Sequence, residues 1–276
     1  MKLLTAAERL AEPRGPKILV AGETAIGKTS LLKSLPAELL STTLLVDLEA
    51  GDLPVADLEI ASVRSRPWPE IRDLAVAIGG PDPARATGAY SQAHYDSVIA
   101  APVLAGLAKF GVIFVDSYTE LSRRCRAWAE QQPEAFNQYG KKDLRSVYGL
   151  VARELIAWTQ QLQHSIPRTV ILTAILEKVV DDFGASGWRV QLEGQRTARE
   201  LPAILDEIIS MVWVKFADGK ARRAFVCDPS NQWAYPAKDR SGKLSAIEEP
   251  HLGKLLAKLA TRQNTGSVGN GQHLQD

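Results

Sequence analysis

The segment Gly22-Glu23-Thr24-Ala25-Ile26-Gly27-Lys28-Thr29 spaces its glycines, lysine and threonine as G-x-x-x-x-G-K-[ST], with Ser30 following. Those residue types in that order suit phosphate oxygens. The glycines let backbone N–H groups turn inward as a cradle, the lysine brings a point charge to the β and γ phosphates, and the threonine hydroxyl reaches a magnesium ion. Average residue usage makes a chance match in a chain of this length about one in a hundred. Asp116, which closes the apolar run Gly111-Val112-Ile113-Phe114-Val115, offers a carboxylate for the same ion. Ligands of open α/β sheets gather at that carboxyl edge, although strands also end in Asp simply to make a turn. A third acid, Glu49, follows Val46-Asp47-Leu48. It falls beside the γ phosphate, where a base polarises an attacking water. If Glu49 only caps a turn, the task passes to Asp47, Glu23 or an acid between residues 64 and 111.

These positions do chemistry only if strands and helices deliver them to one edge. Lys17-Ile18-Leu19-Val20-Ala21 reads as a buried strand running straight into the glycine loop, and helix formers dominate from Thr29 to Leu40. The loop thus lies between a strand and a helix N-terminus, where anions bind. Thr43 to Asp47, Gly111 to Asp116 and Arg168 to Ala174 read as further strands. Helical spacing covers Leu3 to Ala11, Pro69 to Ile78, Ser91 to Lys109, Tyr118 to Glu130 and Asp143 to His164. Apolar strands alternating with helices specify an α/β fold with a mostly parallel central sheet flanked by helices. Past Leu201, the runs Ile209 to Phe216, Arg223 to Asp228 and Trp233 to Pro236 read as shorter strands, a C-terminal antiparallel extension. The expected division is an N-terminal helix over 1–14, a nucleotide-binding core over 15–261 and a disordered tail over 262–276, rich in Gly, Asn, Gln and Ser.

Composition narrows the classes. With 276 residues, 45% hydrophobic and 24% charged, the chain can bury a sizeable core. Its longest apolar stretch, Val98 to Ala108, contains Pro102 and is shorter than the roughly 20 residues of a membrane span. Near the N-terminus Glu8 and Arg9 interrupt the apolar residues too early for a secretory signal. Two cysteines, Cys125 and Cys227, lack metal-ligand spacing, and His94, His164, His251 and His273 are scattered singly. A reducing cytoplasm is expected, with no membrane partner and no histidine-based triad. Basic and acidic residues number 33 and 32, so support for nucleic-acid binding must come from local features.

The Asp-x-Glu at Asp47 to Glu49 and the Asp-Ser at Asp116-Ser117 resemble the RecA core. Together with the compact loop, Leu201 to Glu207, and Ala237-Lys238-Asp239-Arg240-Ser241-Gly242, they make the chain similar to phage ATP-binding proteins built on a minimal RecA core. That group includes the fourth type of the Sak single-strand annealing proteins. The resemblance spans about residues 15 to 260 and implies a RecA-like P-loop NTPase that binds ATP and Mg2+, with Glu49 as general base. It also implies annealing of single-stranded DNA during phage recombination in the host cytoplasm, beside a single-strand DNA-binding protein. The Lys-x-Arg of RecA-like hexameric helicases implies that Lys238 and Arg240 reach a neighbouring subunit's ATP in a homo-oligomer. Alternation along an extended run would put both on one face with Asp239 opposite. An exposed basic turn is the other reading.

In RecA-like proteins the loops after the third and fourth core strands face DNA. Here the first offers Lys141, Lys142 and Arg145 with Phe136 and Tyr139 for stacking, and the second offers Trp188, Arg189, Arg196 and Arg199. Glu177, Asp181, Asp182, Glu193 and Glu200 dilute the second, so an ordinary solvated loop fits it equally. One departure stands out: Ala174-Ile175 occupies the place where many RecA relatives put a polar sensor. Two other classes stay open, a nucleotide-gated regulatory or assembly ATPase that never touches DNA and, ranked last, a small-molecule kinase, for which no arginine-rich lid is found.

Overall fold

A computed structural model describes residues 3–180, 184 and 186–261. The proposed tail over 262–276, with His273, and the acids Asp181 and Asp182 lie outside the described residues. In chain order the strands are β1 (Lys17–Gly22), β2 (Thr43–Asp47), β3 (Ala61–Val63), β4 (Val112–Asp116), β5 (Thr169–Val180), β6 (Ser186–Val190), β7 (Glu207–Lys215), β8 (Ala221–Val226), β9 (Lys238–Asp239) and β10 (Ile247–Glu248). The helices are α1 (Ala6–Ala11), α2 (Ala37–Leu40), α3 (Trp68–Gly79), α4 (Gln92–Ile99), α5 (Pro102–Ala105), α6 (Tyr118–Ala129), α7 (Leu144–Gln163), α8 (Gln195–Ile204) and α9 (Leu252–Ala260). Among the described residues, no helix is long and apolar enough to cross a membrane.

One sheet runs β10-β8-β7-β1-β5-β4-β2-β3, with β6 added to β5 and β9 to β7. Strand β1 lies between β5 and β7 and is parallel to both, while β4 is parallel to β2 and β5. Every residue of β1, β2 and β4 is buried, as strands covered on both faces must be. Residues such as Leu19, Ile113 and Val115 pack under α3, α6 and α7; Ile18, Val20 and Phe114 point the other way, toward Leu31, Leu32 and α9. Past Leu201 the antiparallel extension begins one strand later than the sequence suggests, since β7 still runs parallel to β1 and β8 is the first strand after it to reverse.

Four further expectations are corrected. Thr29 to Leu40 is not one helix: a 3-10 segment covers Thr29–Ser34, Leu35 is extended at ψ 140°, and α2 starts after Pro36. Proline disfavours helical backbone in the residue before it, which explains the break. Pro102 likewise divides the Ser91 to Lys109 stretch into α4, α5 and a 3-10 turn. The span Glu177 to Glu200, expected to be a loop, continues β5 into an antiparallel ribbon with β6 and then forms α8. Its charged residues misled because Glu177, Lys178 and Arg189 lie on a ribbon that leaves every residue of 177–180 and 186–190 exposed or half-buried. Trp233 to Pro236 forms no strand; the Asn231 side chain bonds both the N–H and the C=O of Tyr235 and holds a turn there.

At the edge of the sheet opposite the loop, buried Glu207 accepts the Ser241 N–H at 3.2 Å. Burial, reinforced by Asp239 and Asp206, pushes its carboxyl up to about 8 from 4.5. Between those values the unfolded chain releases a proton that the native chain keeps, so stability falls as pH rises through that window. Glu207→Gln is expected to flatten this fall, read from urea midpoints on either side of the window. An unchanged pH slope in the variant would remove Glu207 as its source.

Candidate nucleotide site

Strand β1 ends at Gly22, beside Met211 of β7, and the chain turns at once. A Cβ on Gly22 would meet the Met211 carbonyl and Ile26 Cγ2, each at 2.9 Å, so the first glycine is required by close approach. Gly27 has φ +100°, a backbone region that side chains disfavour, and a Cβ there would lie 2.5 Å from Arg223 Nη1. Both glycines of the spacing thus have steric causes visible in the fold. Glu23, Thr24 and Ala25 are exposed on the loop, while Ile26 is buried and anchors it to the sheet.

Lys28 folds over the loop, its ammonium donating to the Gly22 carbonyl at 2.9 Å and the Glu23 carbonyl at 3.0 Å. Burial lowers its pKa, while the carboxylates of Asp116 and Glu49 oppose that shift. Thr29 Oγ1 donates to Asp116 Oδ2 at 2.5 Å, and the Thr173 hydroxyl donates to Asp116 Oδ1. Asp116 is only 5% exposed, and burial raises its carboxyl against the pull of those two hydroxyls. A buried carboxylate with raised pKa beside a threonine hydroxyl fits a hard divalent cation, which takes oxygen donors and restores the missing charge. Thr29 and Asp116 are the residues that would hold Mg2+.

Glu49 lies exposed past the end of β2, and the Ser117 hydroxyl donates to its Oε1. The neighbouring acid Asp47 is buried and committed, accepting Arg64 Nε at 3.0 Å and the Gly51 N–H at 3.1 Å. Of the two acids in the Asp-x-Glu, only Glu49 faces the loop with an oxygen open to water. Lys28, Thr29, Asp116 and Glu49 are therefore one cluster, drawn from three elements at the carboxyl edge. Ser30 follows in the 3-10 segment.

Two residues join the site that the sequence did not single out. Thr173 is a lone hydroxyl in the apolar run of β5, which was its available signal. It stands immediately before Ala174-Ile175, so a polar group does touch Asp116 from this strand. Arg223 comes from β8 and donates to the Ile26 carbonyl at 3.0 Å. No local pattern marks it, because the contact depends on where β8 pairs with β7.

Lys238 and Arg240 do share a face, as alternation requires, but they do not project as free prongs. Lys238 Nζ donates to the carbonyls of Pro202 and Leu205, at 2.7 Å for the latter, and Arg240 binds Asp206 at 2.8 Å and the Ala203 carbonyl at 2.7 Å. Both satisfy the carbonyl end of α8, where cations belong. They sit at the β7 end that pairs with the start of β1, across the sheet from the chain's own loop.

Of the DNA candidates, Phe136 and Lys142 form a bridge that closes a tight turn presenting Tyr139, 77% exposed, and Lys141. Arg145 is exposed in the first turn of α7, following the cap Asp143. Lys142 pairs with Glu130, Arg189 with Glu177 and Arg196 with Glu200, while Arg199 is exposed on α8. Trp188 packs against Tyr235 with ring centroids 5.2 Å apart.

A family model described as an AAA domain matches residues 14–241. No curated protein matches the sequence. Similar solved structures include an ATPase from the type III secretion system of pathogenic bacteria, at 18% identity and TM-score 0.38, covering 72% of this chain and 51% of that one. Another is EscN, the assembled ATPase in complex with its central stalk EscO from the type III secretion system of enteropathogenic E. coli. It shows 15% identity and TM-score 0.38, covering 72% of this chain and 42% of that one. This chain spans about half the length of those two or less. With a phosphate loop between β1 and a 3-10 turn, and an acid delivered by β4, the chain belongs to the AAA domain family.

Proposed function

We infer that this protein binds and hydrolyses Mg-ATP as a homo-oligomer and uses that cycle to bind and anneal single-stranded DNA. The observation that carries the ATPase reading is the convergence of Lys28, Thr29, Asp116 and Glu49 at one sheet edge. Lys28 neutralises triphosphate charge, Thr29 and Asp116 hold the metal ion, and Glu49 polarises the attacking water. The turn carrying Tyr139 and Lys141 supports the DNA reading, since a single strand is held by backbone neutralisation and stacking. The resemblance to phage RecA-core proteins supports annealing as the outcome.

One observation favours a regulatory ATPase that never touches DNA: Lys142, Arg189 and Arg196 are already neutralised by acids of their own chain. The ATPase rate measured with and without single-stranded DNA separates the two. Stimulation of tenfold or more, about 1.4 kcal/mol in the barrier, is expected for the annealing protein. Indifference to DNA, together with no binding at low salt, leaves the regulatory reading.

A further inference from the structure

Strand order assigns the two ends of a bound nucleotide, given the phosphate-loop reading above. Asp116 and Glu49, which mark the metal and γ-phosphate end, lie on the β4 and β2 side of β1. The nucleoside end of the triphosphate must then trail to the other side, where β7 and β8 lie. Those two strands are paired from Ser210–Val226 to Lys215–Ala221, while β1 stops opposite Met211. The hairpin therefore rises past the sheet edge, and two residues beyond Met211 places Trp213 about 7 Å higher, level with the loop.

Trp213 pairs directly with Arg223 across the hairpin, so the two side chains leave the same face as Met211 and Phe225. Those two pack with Ile26 and Leu31, which places Trp213 and Arg223 on the face that carries the loop and the segment after it. Arg223 fastens the hairpin to the loop through the Ile26 carbonyl and lies against Gly27. Trp213 is nevertheless 60% exposed, which leaves an indole face open on a paired strand. On the opposite face Trp188, Tyr235 and Trp233 already pack ring against ring at 5.2 and 6.3 Å.

We propose that the indole of Trp213 is the stacking platform for the nucleobase of a nucleoside triphosphate held in the phosphate loop, with Arg223 as the residue that positions the hairpin. Stacking needs only a π-face and an exposed, rigidly backed aromatic, and both are supplied by a paired strand.

The test compares ATP with inorganic tripolyphosphate, each with Mg2+, by calorimetry on the full chain. The probes share the triphosphate but only ATP has a base. Trp213→Ala is expected to weaken ATP binding about tenfold, to leave tripolyphosphate binding unchanged, and to be largely rescued by Trp213→Phe. ATP, but not tripolyphosphate, should also quench tryptophan fluorescence in the wild type, and Trp213→Phe should remove that quench. Because the side chain is largely exposed, these variants keep the fold, which a thermal melt verifies. If the wild type binds both probes and Trp213→Ala binds ATP as tightly as before, the platform is overturned while the phosphate loop stands. Equal weakening of both probes also overturns it. If the wild type binds neither probe, the phosphate-loop reading falls and this inference falls with it.

Discussion

Lys28→Ala is expected to lower ATP affinity by at least about a hundredfold while leaving the fold intact. The ammonium makes its hydrogen bonds only to the loop carbonyls of Gly22 and Glu23, so its loss removes nothing from the two apolar layers. A triphosphate would instead lose charge-assisted bonds worth about 1.5–3 kcal/mol each. Burial already makes the charged form of Lys28 costly, and two nearby carboxylates sustain it. Alanine removes that cost, so the melting temperature should stay within a few degrees of wild type. Titration calorimetry with Mg-ATP reads the affinity, and an unaltered value would sink the phosphate-loop assignment.

Glu49→Gln should keep ATP affinity and lose about 10² to 10⁴ in turnover, because the amide retains the shape of a carboxylate but accepts no proton. The amide oxygen can still receive the Ser117 hydroxyl, so the side chain should hold its place. Steady-state phosphate release measures the loss, and single-turnover kinetics show whether it lies in the chemical step. Turnover at the wild-type rate would exclude Glu49 as base. The structure narrows what would then replace it: Asp47 is tied to Arg64 and Gly51, which leaves Glu23 on the loop or an acid between residues 64 and 111.

The parts of this site that were legible in the sequence are those held by short-range rules. The loop spacing, the apolar strands ending at Asp47 and Asp116, and the helices over residues 68–79, 118–129 and 144–163 all follow from local patterning. What was illegible depends on pairing between distant segments. Arg223 reaches Ile26 only because β8 reverses beside β7, and Thr173 meets Asp116 only because β5 lies next to β4. The Glu177 to Glu200 stretch looked like a loop because a two-stranded ribbon outside the sheet has solvated residues on both faces and no apolar run to betray it. Lys238 and Arg240 looked free because their partners, the end carbonyls of α8 and Asp206, are more than thirty residues away.

The break at Leu35-Pro36 changes how this chain holds an anion. A long α-helix behind a phosphate loop lends it the summed dipole of many aligned peptides, equivalent to about half a positive charge at its first turn. Here six residues of 3-10 turn, then two extended residues and four residues of α2, stand where that helix would be. Few peptides are aligned, so little of that partial charge accumulates. Attraction for an anion is thereby concentrated in the amides of the loop, the ammonium of Lys28 and the guanidinium of Arg223 beside Gly27, with little contribution from the field of a helix end.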